Sequence, residues 1–434
     1  MTLKSDNRPF TPVAIVDGMR TPFAKAFGSF ADVSAVELGK IAVQQSLRRC
    51  GLSPEAVDQV IFGNVAGPAD AANIARVIAL KAGVPQSQIA HTVNRNCASG
   101  MESLLAACNA ITHGEATAVV AGGTESMSQI PLLVRPDAAK LWGRLARAKT
   151  MMARLAVLKD FRPRHFKPVV GIELGLTDPV SGMSMGETAE LLAREFGISR
   201  KTQDEFAVAS HAKASQTQER CFFSGEIAPV TLKDGTVCDK DDGIRHGQSV
   251  EQLARLRPIF AKDGTVTAGN SCQITDGAAA MVLSSAKGLA RFSRAPLGHI
   301  TGFAIAGCDP RRMGLGPVYA IAKLMKQTGL KLDDFDLIEI NEAFAAQVIA
   351  CERAMASKAF AEKELSQSEP IGVLPMDRVN VHGGAIALGH PVGTTGTRLV
   401  LTLLRALRDA GKHRGLATLC VGGGQGVAIV VETR

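Results

Sequence analysis

One tryptophan and one tyrosine in 434 residues leave little material for stacking bases. Nucleic-acid binding is therefore a poor account of the formal charge of +8. Acidic small molecules suit that charge better. The nine cysteines include no C-x-x-C pair, which excludes an evident zinc site, and an odd number argues against a disulfide framework. No metal site is expected, and a reducing, cytoplasmic location is. The stretch Met1 to Pro12 lacks the apolar core of a targeting segment, and no apolar run is long enough to span a bilayer. What remains, 46% apolar and 21% charged, is the composition of a globular protein too long for one core.

The chain opens as alternating α/β. Val13 to Val16 reads as a buried strand, Val36 to Arg49 as a helix ending at Gly51, Val57 to Phe62 as a strand, and Ala72 to Ala82 as a helix. His91 to Val93, Met101 to Ile111 and Ala116 to Ala121 continue the alternation. The order returns later: Gly51-Leu52 with Val57 to Phe62 resembles Gly329-Leu330 with Phe335 to Ile340, and Ala118 to Gly123 resembles Leu419 to Gly424. Two related α/β halves follow, separated by a charge-rich insertion from Met127 to Asn270. The divisions are an N-terminal half over 1–126 completed by 271–294, an inserted loop domain over 127–270, and a C-terminal half over 295–434.

Within the insertion, Arg135 to Lys167 holds ten Lys or Arg against two Asp. Ala138, Leu141, Trp142, Leu145, Met152 and Leu155 share one helical face there, opposite Lys140, Arg144, Arg147 and Arg154. That pattern predicts an amphipathic helix over 138–158, facing a membrane or partner, or else docked on its own protein.

Chemistry concentrates in the stretches flanked by glycine. Cys97 lies where a helix begins, and the N–H groups and dipole of a helix start favour a thiolate. It is a candidate nucleophile, the alternative being a small buried cysteine. His390, between Gly389 and Pro391, is the candidate base, and a Cys/His pair is a minimal arrangement for acyl transfer. Cys420 precedes Gly422-Gly423-Gly424, whose N–H groups are candidates for an oxyanion hole. Two thiols and one imidazole suit carbon–carbon chemistry at a thioester better than hydrolysis.

Five motifs then carry a resemblance over almost the whole chain: N-C-A-S-G at Asn96 to Gly100, A-G-G-T-E-S-M at Ala121 to Met127, N-E-A-F-A at Asn341 to Ala345, G-G-A-I-A-L-G-H-P-V-G at Gly383 to Gly393, and C-V-G-G-G-Q-G at Cys420 to Gly426. In this order and spacing they resemble the thiolases. The resemblance implies two βαβαβαββ halves in a five-layered α/β/α/β/α body, with the inserted loop domain receiving CoA. It implies thiolytic cleavage of 3-oxoacyl-CoA, or the reverse condensation of two acetyl-CoA, with CoA as substrate and no cofactor. Cys97 would take the acyl group, His390 would activate it, and Cys420 would move the proton at the α-carbon. Asn341 would hold a water that forms one oxyanion hole with His390, and the N–H groups of Cys97 and Gly422 would form the other.

For CoA and the acyl pocket, the resemblance implies Arg245 at the nucleotide end and Met185, Phe260, Cys272, Met313, Ala343 and Phe344 along the pantetheine. His382 is expected to face the catalytic loop and shape the pocket. Ser184, Gln252 and Cys272 depart from acetyl-specific biosynthetic members, which have histidine, serine and serine there. The insertion resembles that of thiolase subunits in fatty-acid β-oxidation complexes, although Asn341 stands where many of those have histidine. A homodimer or homotetramer, a hydratase/dehydrogenase partner subunit and peripheral membrane contact through 138–158 are the corresponding partner expectations. The alternatives are a decarboxylating ketosynthase, which pairs its cysteine with two histidines, and a non-catalytic membrane-surface scaffold.

Overall fold

The structure, a computed structural model, describes residues 10–433; most of the polar leader Met1 to Pro12 lies outside them. The main strands are β1 (Val13–Arg20), β2 (Gln59–Gly63), β3 (Ile89–Val93), β4 (Ala118–Glu125), β5 (Thr275–Ser284), β6 (Gly298–Gly307), β7 (Leu337–Ile340), β8 (Arg414–Val421) and β9 (Gln425–Glu432). They hydrogen-bond in the order β7-β8-β9-β6-β1-β5-β4-β2-β3. The longer helices are α1 (Ala35–Cys50), α2 (Ile74–Lys81), α3 (Ser99–Thr112), α4 (Pro136–Arg147), α5 (Met151–Leu158), α6 (Met185–Glu195), α7 (Arg200–Glu219), α8 (Gly316–Thr328), α9 (Ala345–Ala356) and α10 (Thr395–Asp409).

Strands β4 and β5 are buried along their whole length. Helices cover both faces of the sheet, so these strands read as continuous small and apolar runs rather than as an alternation. One core lies between α1, α2 and the outer face of the N-terminal strands. A second surrounds α3 and α10, packed against each other between the two sets of strands. A third lies between the C-terminal strands and α8 and α9. This gives the expected five layers, α/β/α/β/α.

Each half repeats one pairing scheme. In the first, β2 is parallel to β4, β4 antiparallel to β5, and β5 antiparallel to β1. In the second, β7 is parallel to β8, β8 antiparallel to β9, and β9 antiparallel to β6. Gly51 and Gly329 end the equivalent helices α1 and α8 in the left-handed region, at φ 65° and 75°. There glycine escapes the Cβ penalty, which explains the Gly-Leu repeat. The second repeat is out of register: Gln59 pairs with Val119 and its counterpart Leu337 with Gly415, so Ala118 is not the equivalent of Leu419.

The C-terminal half also departs from βαβαβαββ. Where β3 runs beside β2 for five residues, its counterpart is a single bridge between Ile338 and Val379. The Asn380 side chain continues the ladder instead, accepting from the Ile340 N–H and donating to the Ile340 carbonyl, both at 2.9 Å.

The segment 127–270 is tied to β1 by buried Arg20, which donates to Glu226 at 2.7 Å and to Asp241 at 2.7 and 2.8 Å. The single amphipathic helix expected over 138–158 is instead two, α4 and α5. Thr150 caps the second by accepting from the Ala153 N–H. Ala138, Leu141 and Val157 are buried, whereas Trp142, Met151, Met152, Leu155 and Leu158 stay exposed. Trp142 packs edge-on to Phe161, with centroids 5.0 Å apart.

Candidate active site

Four strand ends converge on one cavity of about 480 Å³, lined by Cys97, His390, Cys420, Met185, Phe260 and Arg245 among others. In an open α/β sheet, groups beyond the carboxyl ends of parallel strands face a common crevice. β3 leads into the loop carrying Cys97, Cys420 is the penultimate residue of β8, β7 leads into Asn341 and Glu342, and β4 ends at Glu125.

Cys97 precedes the first residue of α3 by two positions, close to the helix start that its sequence context predicts. The expected thiolate does not result. Burial pushes its thiol up, outweighing the N–H groups of Gly422 and of Cys97 itself, which point at the sulfur and favour ionisation. The Gly422 peptide is held by Asn96, whose Nδ2 donates to the Gly422 carbonyl at 2.8 Å from a left-handed backbone of φ 44°. Burial also holds the Cys420 thiol well above its ordinary range, with Cys97 nearby adding to it.

His390 has a defined tautomer. The Thr395 hydroxyl donates to the Pro391 carbonyl at 3.1 Å, so it accepts from Nδ1–H of His390 at 2.5 Å. Nε2 then carries the lone pair. It is buried and has no partner among the described residues. Burial pushes the imidazole down to about 3, with Arg398 nearby acting in the same direction. The resting site therefore holds a neutral thiol beside a neutral base.

The loop carrying His390 is clamped by two buried glutamates. Glu125 accepts from the N–H groups of Val65, Ala66 and Gly393 at 3.0, 3.1 and 3.0 Å. Glu342 accepts from Ser210 at 2.6 Å, from Asn380 at 2.8 Å and from the Ile386 N–H at 3.2 Å. Burial raises the Glu125 carboxyl to about 7 and raises that of Glu342 as well. Gly123 lets β4 meet this loop backbone to backbone, since a Cβ there would lie 1.9 Å from the Gly393 carbonyl oxygen.

Asn341 is fully buried just behind the cavity wall, and neither atom of its amide has a partner among the described residues. An orphaned polar group costs about 1–3 kcal/mol, which a bound water or substrate oxygen would recover.

Met185, Phe260, Cys272, Met313, Ala343, Phe344 and Arg245 all line the cavity. Arg245 makes no ion pair among the described residues, and its N–H donates to His211 at 3.2 Å. The Cys272 N–H donates to the Ala343 carbonyl at 2.9 Å, and burial raises its thiol to about 12. Ser184 lines the cavity and caps α6 by exchanging hydrogen bonds with Glu187. Ser249 caps the short helix Val250–Ala254 in the same way, with Gln252 accepting from the Ser249 N–H at 3.0 Å.

His382 is a correction. It is absent from the cavity wall; it is buried, stacked on Phe222 with centroids 3.8 Å apart, and its Nδ1 lies 3.1 Å from the Thr217 hydroxyl. Its ring is held by Phe222 and Thr217, on the C-terminal side of α7, rather than at the cavity. Among the described residues the cavity wall therefore holds one histidine, His390, with Cys97, Cys272 and Cys420, unlike the two-histidine ketosynthase pattern.

The sequence reading missed Thr395, Glu125, Glu342 and Asn96. Both glutamates stand inside the five motifs, and a carboxylate at the end of an apolar strand was the available signal. Among the described residues, no His, Cys, Asp and Glu side chains gather as a metal would require, and no helix is long and apolar enough to cross a membrane.

Comparison with known proteins agrees with this geometry. Residues 13–287 match the thiolase N-terminal domain and residues 294–433 the thiolase C-terminal domain. A probable acetyl-CoA acyltransferase of Staphylococcus aureus is 40% identical over 427 residues, 97% of this chain and 99% of the relative. The acetyl-CoA acetyltransferase of Bacillus anthracis superposes with a TM-score of 0.86 at 36% identity, covering 98% of this chain and 100% of the other. Human mitochondrial 3-ketoacyl-CoA thiolase, solved in complex with CoA, gives 0.85 at 36% identity and 98% coverage of both chains. With matches to both domains and to whole chains, this protein belongs to the thiolase family and is an acyltransferase.

Proposed function

We propose that the chain cleaves 3-oxoacyl-CoA with free CoA, giving acetyl-CoA and a shortened acyl-CoA, and catalyses the reverse condensation through an acyl-Cys97 intermediate. The observation that carries this reading is the Nε2 of His390, without a partner among the described residues, in one cavity with Cys97 and Cys420. His390 takes the proton of Cys97 as the sulfur attacks the 3-oxo carbon. The carbon–carbon bond breaks, and Cys420 protonates the departing acetyl-CoA enolate. The N–H groups of Cys97 and Gly422 steady one oxyanion, and Asn341, through a water, steadies the other with His390. CoA then enters along Met185, Phe260, Met313 and Phe344, its charged end near Arg245; its thiol gives its proton to the Cys420 thiolate and takes the acyl group, and His390 returns its proton to the departing Cys97 sulfur.

Turnover of a 3-oxoacyl-CoA that depends on added CoA supports the reading. Failure with every chain length overturns it.

The nine unpaired cysteines favour a reducing compartment, the cytoplasm. A homodimer or homotetramer is the proposed assembly. The α4–α5 hairpin is assigned to an anionic membrane surface, because exposed Trp142, Met151, Met152 and Leu155 lie among Arg144, Arg147, Lys149 and Arg154. Trp142 is the chain's only tryptophan, so its emission reports directly. Phosphatidylglycerol vesicles are expected to shift that emission to the blue, and neutral vesicles to leave it unchanged. No shift with either, together with copurification of a hydratase/dehydrogenase subunit, would reassign the hairpin to that partner.

A further inference from the structure

Two cavities meet at Cys97. The one holding His390 and Cys420 has Arg245 in its wall. The second, of about 440 Å³, lies between the loop Val65-Ala66-Gly67, the turn Gly422-Gly423 and insertion residues from Met127 to Pro179. Both share Cys97, Met127, Leu176, Met185 and Val392, and the second contains neither His390 nor Cys420.

Ping-pong chemistry gives the second cavity a task. While the acyl group waits on Cys97, CoA must fill the first cavity to bring its thiol to the same carbon. A chain of more than a few carbons cannot share that space. The second cavity is apolar, walled by Ile130, Pro131, Leu133, Ile172, Leu174 and Leu176, and its volume falls in the range of sites for ligands far larger than acetyl. Among the described residues its one ionisable carboxylate is Asp178, buried beside the Gly423 turn, and no Lys or Arg lines it. Leu133 and Leu174 line the cavity yet are 44% and 55% exposed, so the far end opens to the surface.

We propose that this second cavity is the acyl channel, built for aliphatic 3-oxoacyl chains of medium and long length, open at its far end and selective against a terminal carboxylate. The assignment rests on the thiolase reading above and names the substrate class for that same site. The open end imposes no upper length limit. Asp178 repels a chain that ends in a second carboxylate.

The test is kcat/KM for acetoacetyl-, 3-oxohexanoyl-, 3-oxodecanoyl-, 3-oxohexadecanoyl- and 3-oxoadipyl-CoA. The expected rise is about fourfold per added methylene, the equivalent of ~0.8 kcal/mol, until the channel is filled. It then levels without falling at 16 carbons, and 3-oxoadipyl-CoA is at least tenfold below 3-oxohexanoyl-CoA. Gly175 supplies an independent block: it lines the channel, has no positive φ, and a Cβ added there meets nothing within 4 Å. Gly175→Trp is expected to lower the ratio of 3-oxohexadecanoyl- to acetoacetyl-CoA cleavage at least tenfold, and Gly175→Ala to preserve it.

Turnover of acetoacetyl-CoA alone overturns the channel and leaves the thiolase reading intact; no turnover at all overturns that reading itself. A fall at 16 carbons removes the open end, parity of adipyl and hexanoyl substrates removes the role of Asp178, and an unchanged ratio in Gly175→Trp removes the channel. Should that variant not fold, the wild-type series decides.

Discussion

Cys97→Ser is expected to lose thiolysis by roughly 10⁴-fold or more, as loss of a covalent nucleophile does. Intact-protein mass spectrometry should show the acyl adduct on the wild type incubated with acetyl-CoA and none on the variant. An adduct of equal yield on the variant would place the nucleophile elsewhere. The resting protonation state adds a signature. The Cys97 thiol is raised by burial and His390 is pushed down to about 3, so the free enzyme holds no thiolate–imidazolium pair near neutrality. Alkylation of Cys97 by iodoacetamide should therefore keep accelerating as pH rises past the ordinary thiol value, with no inflection where an exposed histidine titrates. A plateau already reached below pH 7 would mean that an ion pair forms in the free enzyme. The sign is fixed by burial, which disfavours the charged form of each group.

Cys420→Ser should separate the two halves of the reaction. Transfer of an acyl group from acyl-CoA to Cys97 breaks no carbon–carbon bond and does not need Cys420. Cleavage of a 3-oxoacyl-CoA does, and removal of a positioned proton donor costs roughly 100-fold to 10,000-fold. The variant is expected to form the acetyl adduct from acetyl-CoA at near wild-type yield while cleaving acetoacetyl-CoA that much more slowly. Equal loss in both measurements would mean that Cys420 shapes the site without moving the proton. Burial keeps this thiol protonated at rest, which is the form a proton donor requires.

The fold was legible in the sequence where periodicity and glycine caps spoke together. The Gly51 and Gly329 caps revealed the duplicated halves, and the strands around Cys97 fell within a few residues of their observed limits. The glycine-rich match of Ala118 with Leu419 misled, because one glycine pair lies inside β4 and the other forms a turn after β8. Helical spacing carried through Ala148-Lys149-Thr150, hiding the break that a Thr cap at 150 produces. At the site, cysteine and histidine declared themselves by type. Thr395, Glu125 and Glu342 did not, since they act by holding backbone N–H groups or a ring nitrogen from elements that only tertiary folding brings together. His382 was misread for the same reason, its stacking partner Phe222 being distant in sequence.

The third strand of the C-terminal half is reduced to one bridge, with Asn380 standing in for the missing ladder. A β ladder fixes a segment collectively, so shifting it means shifting the sheet. A loop hung from Asn380, Glu125 and Glu342 can be retuned one side chain at a time. The base is thus placed by individual side chains, so a substitution at Asn380 or Glu342 shifts His390 while leaving the strand pairing of the sheet in place.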